Sequence, residues 1–434
     1  MATKNIFVVG LDDFNLRQMK QVMDAEDYNF LELLDFETVK GRGGNEYPFN
    51  DVLEKARRQL REFDGSIDAI VGYWDFPVTT LVPMLGHEFG TTAPTLDSVA
   101  RCEHKYWSRL LQSEVISEHP DFEVFNPFDD DPLSRFERVG FPMWIKPIKG
   151  TSSILAYSVS NEQEFNDAIA EVRREIHHIA RGFNELLGHM TLPGPIEYVD
   201  GHYCVAESTI SGAQCTVSGY VYRGDVVVYG VVDSINYPDS SSFQRYEYPS
   251  TLPQHALDRM ADISTRLIRH LELSDTTFNI EYFYDEAHDR INLLEINPRM
   301  SQSHGDIYRK VDGLPNHQLM IDLGLGQKPR WKHGEGKYNR AAKCFLRDFE
   351  GDALVKRVPT REEVDAIARD FPDTLIEILP EEGRQLSDMR EQEPYSYELA
   401  HIYVGGDDRQ DLLDKYNRIV DRLHFELESI SVTA

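Results

Sequence analysis

Two runs with the composition of β-strands, FNIEYFY (278–284) and INLLEIN (291–297), are separated only by the polar stretch DEAHDR (285–290). So short a polar connection predicts an antiparallel hairpin, and a hairpin fixes which side chains share a face. Simple alternation puts Ile291, Leu293, Glu295 and Asn297 on one face and Asn292, Leu294 and Ile296 on the other. A loop centred on His288 sets Glu281 opposite Glu295. Like charges placed opposite one another destabilise a ladder by a few tenths to about 1 kcal/mol. A hard divalent cation removes that repulsion, and two carboxylates with the amide oxygen of Asn297 are oxygen ligands of the kind Mg²⁺ takes. Two exposed acids on a solvated strand face satisfy the same pattern, so pattern alone leaves both open.

The rest of the chain sets the frame. At 434 residues it exceeds the size at which a single core keeps growing, so roughly two to four domains are expected. Its 45 basic and 74 acidic side chains give a net charge of -29, which disfavours nucleic acid and anionic lipid as partners. No run approaches the roughly 20 apolar residues of a membrane span, and the N-terminal MATKNIFVVGLDDFN does not read as a signal peptide, so a cytoplasmic protein is expected. The four cysteines form no CxxC pair and read as buried free thiols.

NIFVVG (5–10) and IDAIVGYWD (67–75) alternate with helical segments and predict a parallel α/β unit. The intervening LDDFN (11–15) has no GxGxxG, which removes the support for a dinucleotide-binding domain. A helix over Val99–Leu111 carries Lys105, and the strand in GFPMWIKPIKGTSS (140–153) carries Lys146 ahead of a small-residue loop, with Lys149 as an exposed neighbour or an auxiliary contact. Ser160 and Gln163 suggest a capping box for one long helix running to Leu186. β-patterned runs follow from residue 196, with a turn at Arg223–Asp225, and beyond about residue 330 come further strands and two helices, one capped by Thr360 with Glu363.

Lys105, Lys146, Glu207 in VAESTISG (205–212), and FNIE paired with LLEINPR together resemble the ATP-grasp superfamily, in its carboxylate-amine ligase branch. The resemblance spans roughly residues 65–325. It implies an α/β and α+β chain: a Rossmann-like preATP-grasp domain over 1–98, an ATP-grasp domain over 99–330 and a C-terminal α+β lobe over 331–434. By the same resemblance Lys105 and Lys146 contact ATP phosphates and the Gly150–Ser153 loop, with Ser152 and Ser153, closes over them. Ala206, Glu207 and Gln214 would line the nucleotide, Glu281, Glu295 and Asn297 would hold Mg²⁺ (or Mn²⁺), and Arg299 would meet the transferred phosphate.

The implied activity is ATP-dependent joining of a small-molecule carboxylate, such as an amino acid, to an amine through an acyl phosphate, in an enzyme whose relatives are often homodimers. An ATP-dependent carboxylase and a nucleotide-binding sensor without turnover are the alternatives. Ser208 and Gln214 stand where many relatives carry acids, and MSQSH (300–304) lacks a glutamate found in biotin carboxylases, which weighs against bicarbonate. Arg245, Tyr237, Ser301, Ser303 and His304 flank the motif as candidates for substrate contact.

Overall fold

The computed structural model describes residues 3–40, 48–150, 154–389 and 396–430. It mixes α/β and α+β organisation, as expected. Lys4–Leu11 is the central strand of a three-stranded parallel sheet, flanked by Tyr28–Asp35 and Ala69–Val71. Helix Phe49–Glu62 packs on it through Phe49, Val52, Leu53, Ala56 and Leu60, the three- and four-residue steps of one helical face. The same core takes in Phe183, Leu186 and Val205, so the parallel unit is packed against the segment that follows it.

That segment holds a four-stranded antiparallel sheet in the order Phe122–Phe125, Cys204–Ser208, Met143–Pro147, Tyr157–Val159. The expected single helix before it is two, Leu96–Glu103 and Lys105–Val115, because His104 leaves the helical conformation. Its Nδ1 accepts from the Trp107 amide at 3.2 Å, so the ring proton resides on Nε2 and is donated to the Val199 carbonyl at 2.8 Å. Burial pushes this imidazole down to about 4, which keeps it neutral and able to cap. Lys105 therefore stands in the first turn of a helix.

The other expected long helix is likewise divided, into Glu162–Glu175 and His177–Leu187, and its cap is Asn161 with Glu164, one residue later than Ser160 with Gln163. The Thr360 and Glu363 capping box forms as expected. Arg223 and Gly224, both with positive φ, make the two-residue turn between Ala213–Tyr222 and Asp225–Asn236. All four cysteines are buried and free.

An eight-stranded antiparallel sheet forms the largest layer. Its order is Arg290–Asn297, Thr276–Asp285, Ala213–Tyr222, Asp225–Asn236, Phe243–Tyr248, Arg340–Asp348, Tyr397–Gly406, Leu375–Ile378. Strands from both sides of residue 330 thus hydrogen-bond into one sheet. Helix Gln254–His270 covers one face with Met260, Ile263 and Leu267. Among the described residues, no helix is long and apolar enough to cross a membrane.

The hairpin at the sheet edge departs from simple alternation in one respect. Glu281 does pair with Glu295, but Tyr282 pairs with Leu293, leaving Leu294 as a bulge. Ile291, Leu293 and Ile296 therefore share a core with Ile280 and Tyr282, so Ile291 and Leu293 are not on the face of Glu295 and Asn297. The turn lies half a residue before the expected centre, with Asp285 opposite Arg290. Without the bulge that register would set Glu295 against Ile280, inside the apolar core, at a cost on the order of several kcal/mol for an unpaired carboxylate. The extra residue turns the acid back to the open face.

Candidate active site

A cleft of about 1770 Å³ is walled by the four-stranded sheet on one side and the hairpin face on the other. Lys105, Arg109, Lys146, Glu207, Gln214, Glu281 and Glu295 all line it. Residues nearly two hundred positions apart in sequence meet there, because the helix from Lys105 lies between the two sheets.

Each lysine is held by a carboxylate. Lys105 Nζ donates to Glu295 Oε1 at 2.6 Å and to the Gly150 carbonyl at 3.1 Å. Lys146 Nζ donates to Glu207 Oε2 at 2.7 Å. Glu207 also accepts from Arg109 Nε at 2.7 Å, and both of those side chains are buried. Burial works against the Glu207 anion, but Arg109 and Lys146 outweigh it and hold the carboxyl well below its usual range.

Arg109 was not singled out from sequence, although it lies four residues after Lys105 and so on the same helical face. It further donates to the carbonyl of the bulged Leu294 at 2.7 Å and to Gln112 at 2.6 Å. One guanidinium thereby ties the bulge, the buried glutamate and the lysine helix together.

The two opposed acids are not equivalent. Burial would raise the carboxyl of Glu295, but the bound Lys105 ammonium brings it below its ordinary range. Glu281 is pushed up to about 7, first by burial and then by the Glu295 charge, with Arg299 opposing. Gln214 Nε2 donates to Glu281 Oε2 at 3.1 Å, so Gln214 reaches the acid pair. Asn297 Nδ2 donates to Asn279 Oδ1 at 3.1 Å and approaches Glu281 Oε1 at 3.5 Å.

The donor set of two opposed carboxylates and one amide suits a hard divalent cation, which would relieve the repulsion that raises Glu281. No group of three or more His, Cys, Asp or Glu side chains suited to a metal occurs among the described residues.

Arg299 is held by Asp75. Its Nε and Nη2 both meet Asp75 Oδ1, at 2.7 and 2.6 Å, and its Nη1 donates to the Met300 carbonyl. Ala206 is fully buried in the sheet opposite Ile145. Ser152 and Ser153 lie outside the described residues. Lys149 is buried in an ion pair with Glu103, contrary to its expected exposure.

Among the flanking candidates, Arg245 is buried against Glu247 and does not line the cleft, and Tyr237 donates its hydroxyl to the Phe345 carbonyl at 2.7 Å. Ser303 lines the cleft. His304 is buried, and burial followed by Lys343 and Arg299 pushes its imidazole down to about 3, so the ring is neutral.

Residues 139–305 match the ATP-grasp domain family, and the chain carries an ATP-grasp domain. No curated protein sequence matches the chain significantly. Among solved structures, the L-amino acid ligase from Bacillus licheniformis is similar with a TM-score of 0.71 at 14% identity, covering 99% of this chain and 100% of that one. Carboxyaminoimidazole ribonucleotide synthase from Aspergillus clavatus, complexed with ATP, superposes with a TM-score of 0.66 at 13% identity, covering 97% and 98% of the two chains. The biotin carboxylase domain of 2-oxoglutarate carboxylase from Hydrogenobacter thermophilus, a dimer in complex with MgADP, ADP and bicarbonate, gives 0.64 at 13% identity, covering 99% and 92%. At these identities the likeness is one of fold.

Proposed function

We propose that this chain, which carries an ATP-grasp domain over residues 139–305, is an ATP-dependent ligase that joins a small-molecule carboxylate to an amine. The observation that carries the reading is the meeting in one cleft of an opposed acid pair, Glu281 and Glu295, with two lysines, Lys105 bound to Glu295 and Lys146 bound to Glu207. Phosphoryl transfer calls for positioned cations and metal-binding oxygens more than for a nucleophilic side chain. The cleft has that composition.

In this reading Lys105 and Lys146 exchange their carboxylate partners for phosphate oxygens, and Ala206 and Glu207 border the base. Glu281, Glu295 and the carbonyl oxygen of Asn297 would hold Mg²⁺, which when bound neutralises phosphate charge. An oxygen of the substrate carboxylate attacks the γ-phosphorus as the bond to ADP breaks. The amine nitrogen then attacks the acyl carbon, phosphate leaves, and the amine gives up a proton. Arg299, oriented by Asp75, is suited to the transferred phosphoryl group. Residues 1–98, 99–330 and 331–434 would serve as the preATP-grasp, ATP-grasp and C-terminal units.

The test is release of ADP and phosphate from ATP and Mg²⁺ with amino acids supplied singly and in pairs, with and without bicarbonate. Release that requires a carboxylate and amine pair supports the ligase. Release that requires bicarbonate identifies a carboxylase instead, and nucleotide binding without any release favours a sensor.

A further inference from the structure

Lys343 sits in the strand Arg340–Asp348 and lines the same cleft as the acid pair. The two places are joined by the loop that leaves the hairpin, because Ser303, six residues beyond Asn297, accepts from Lys343 Nζ at 3.2 Å. The side chain is buried, with the residue only 5% exposed, yet among the described residues its ammonium has no carboxylate within ion-pair distance. The nearest acid on the facing strand is already committed, since Glu398 holds Arg347 at 2.6 Å and His401 at 2.7 Å.

A buried cation without a counter-ion is costly, and proteins rarely keep one without use for it. Here the rings of Phe345 and Tyr403, 4.8 and 5.6 Å from Nζ, give partial compensation. Burial still moves the ammonium below its usual range although Glu398 and Glu377 oppose the shift. The arrangement is a single positive charge, one hydroxyl and an aromatic floor, open to a cleft. It matches a monoanion. A phosphate dianion would call for more charge, and the neighbouring Arg347 is occupied by Glu398, Ser396 and the Phe243 carbonyl.

We propose that Lys343, with Ser303, binds a carboxylate of the amine-bearing substrate that is not the one activated, so that the acceptor is an amino acid rather than a simple amine. This rests on the ligase reading, and it adds the substrate class and the residue that selects it. The amine of an acceptor anchored there would point back along the cleft towards Glu281 and Glu295, where the activated acyl group is formed.

The experiment measures binding of matched pairs, each an amino acid and its carboxamide, to the full chain in Mg·ADP, by calorimetry. Wild-type protein should prefer the free acid by about thirtyfold or more, the scale set by truncating one member of a buried charge pair. Lys343→Met should abolish the preference, Lys343→Arg should restore part of it, and all three proteins should bind Mg·ADP alike. Equal binding of acid and amide by wild type, an intact preference in Lys343→Met, or no binding of any free acid while Mg·ADP binds, each overturns the proposal and leaves the nucleotide site standing. Failure of wild type to bind Mg·ADP would remove both readings together. Should Lys343→Met fail to fold, the acid and amide comparison on wild type decides alone.

Discussion

Arg299 and Asp75 meet at 2.6 Å across 224 positions of sequence, joining the end of the strand Arg290–Asn297 to the parallel α/β unit. A hydrogen bond between charged groups is worth about 1.5–3 kcal/mol. Asp75→Asn should therefore lower stability by about that much, read from the urea midpoint. It should also lower turnover while leaving Mg·ATP affinity near wild type, because it frees a guanidinium that Asp75 orients and that Lys105 and Lys146, the proposed phosphate ligands, do not need. An equal loss of nucleotide affinity would place Arg299 elsewhere in the reaction.

Glu281 gives a pH prediction. Its carboxyl lies near 7 in the folded chain against an ordinary 4.5, so between those values the native state holds a proton that the unfolded state has lost. Stability contributed by this group is present at low pH and is lost as pH rises through about 7. Metal-free wild type should lose stability relative to Glu281→Gln across that window, measured as the difference between their thermal midpoints. Mg²⁺ should bind with release of up to about one proton near neutrality, read by calorimetry in buffers of different ionisation enthalpy. Binding without proton release would contradict the placement of Mg²⁺ on this pair.

The bulge at Leu294 can be tested by removing it. Deleting Leu294 should give a regular hairpin in which Glu295 still faces Glu281, so Mg·ATP binding should survive while stability falls through loss of the Arg109 bond to the Leu294 carbonyl. Glu295→Gln keeps the bulge and should lower turnover by about a hundredfold or more with a far smaller effect on folding. Full activity in Glu295→Gln would sink the metal assignment.

Arg109 and Glu207 are each about 4% exposed as side chains, so neither charge survives alone at low cost. Arg109→Leu should destabilise by about 3–5 kcal/mol, seen in the denaturation midpoint. Lys146→Met should cost less, since Arg109 still balances Glu207, while weakening nucleotide binding. The opposite order of stabilities would mean that Lys146 is the structural partner.

Much of this arrangement is legible in the sequence where local pattern and tertiary structure agree. The hairpin, its opposed glutamates and the parallel unit follow from short connections and strand composition. The side-chain faces of the hairpin do not, because a bulge is decided by whether a carboxylate can enter a core, and that depends on Met260, Ile280 and their neighbours. The break at His104 is hidden for a related reason, since its cap needs the carbonyl of Val199 from a distant turn. Arg109 had a helical-spacing signal that only the position of Glu207 makes meaningful. Lys343 had none, as an unpaired lysine is visible only once its surroundings are.

The most direct test of the ligase reading is the fate of the carboxylate oxygen. Incubating the protein with ATP, Mg²⁺ and a pool of amino acids labelled with heavy oxygen in their carboxyl groups should yield phosphate carrying one labelled oxygen per turnover, because acyl phosphate formation passes that atom to phosphorus. ADP and phosphate formed with no label in the phosphate would contradict carboxylate activation in the Glu281 and Glu295 cleft.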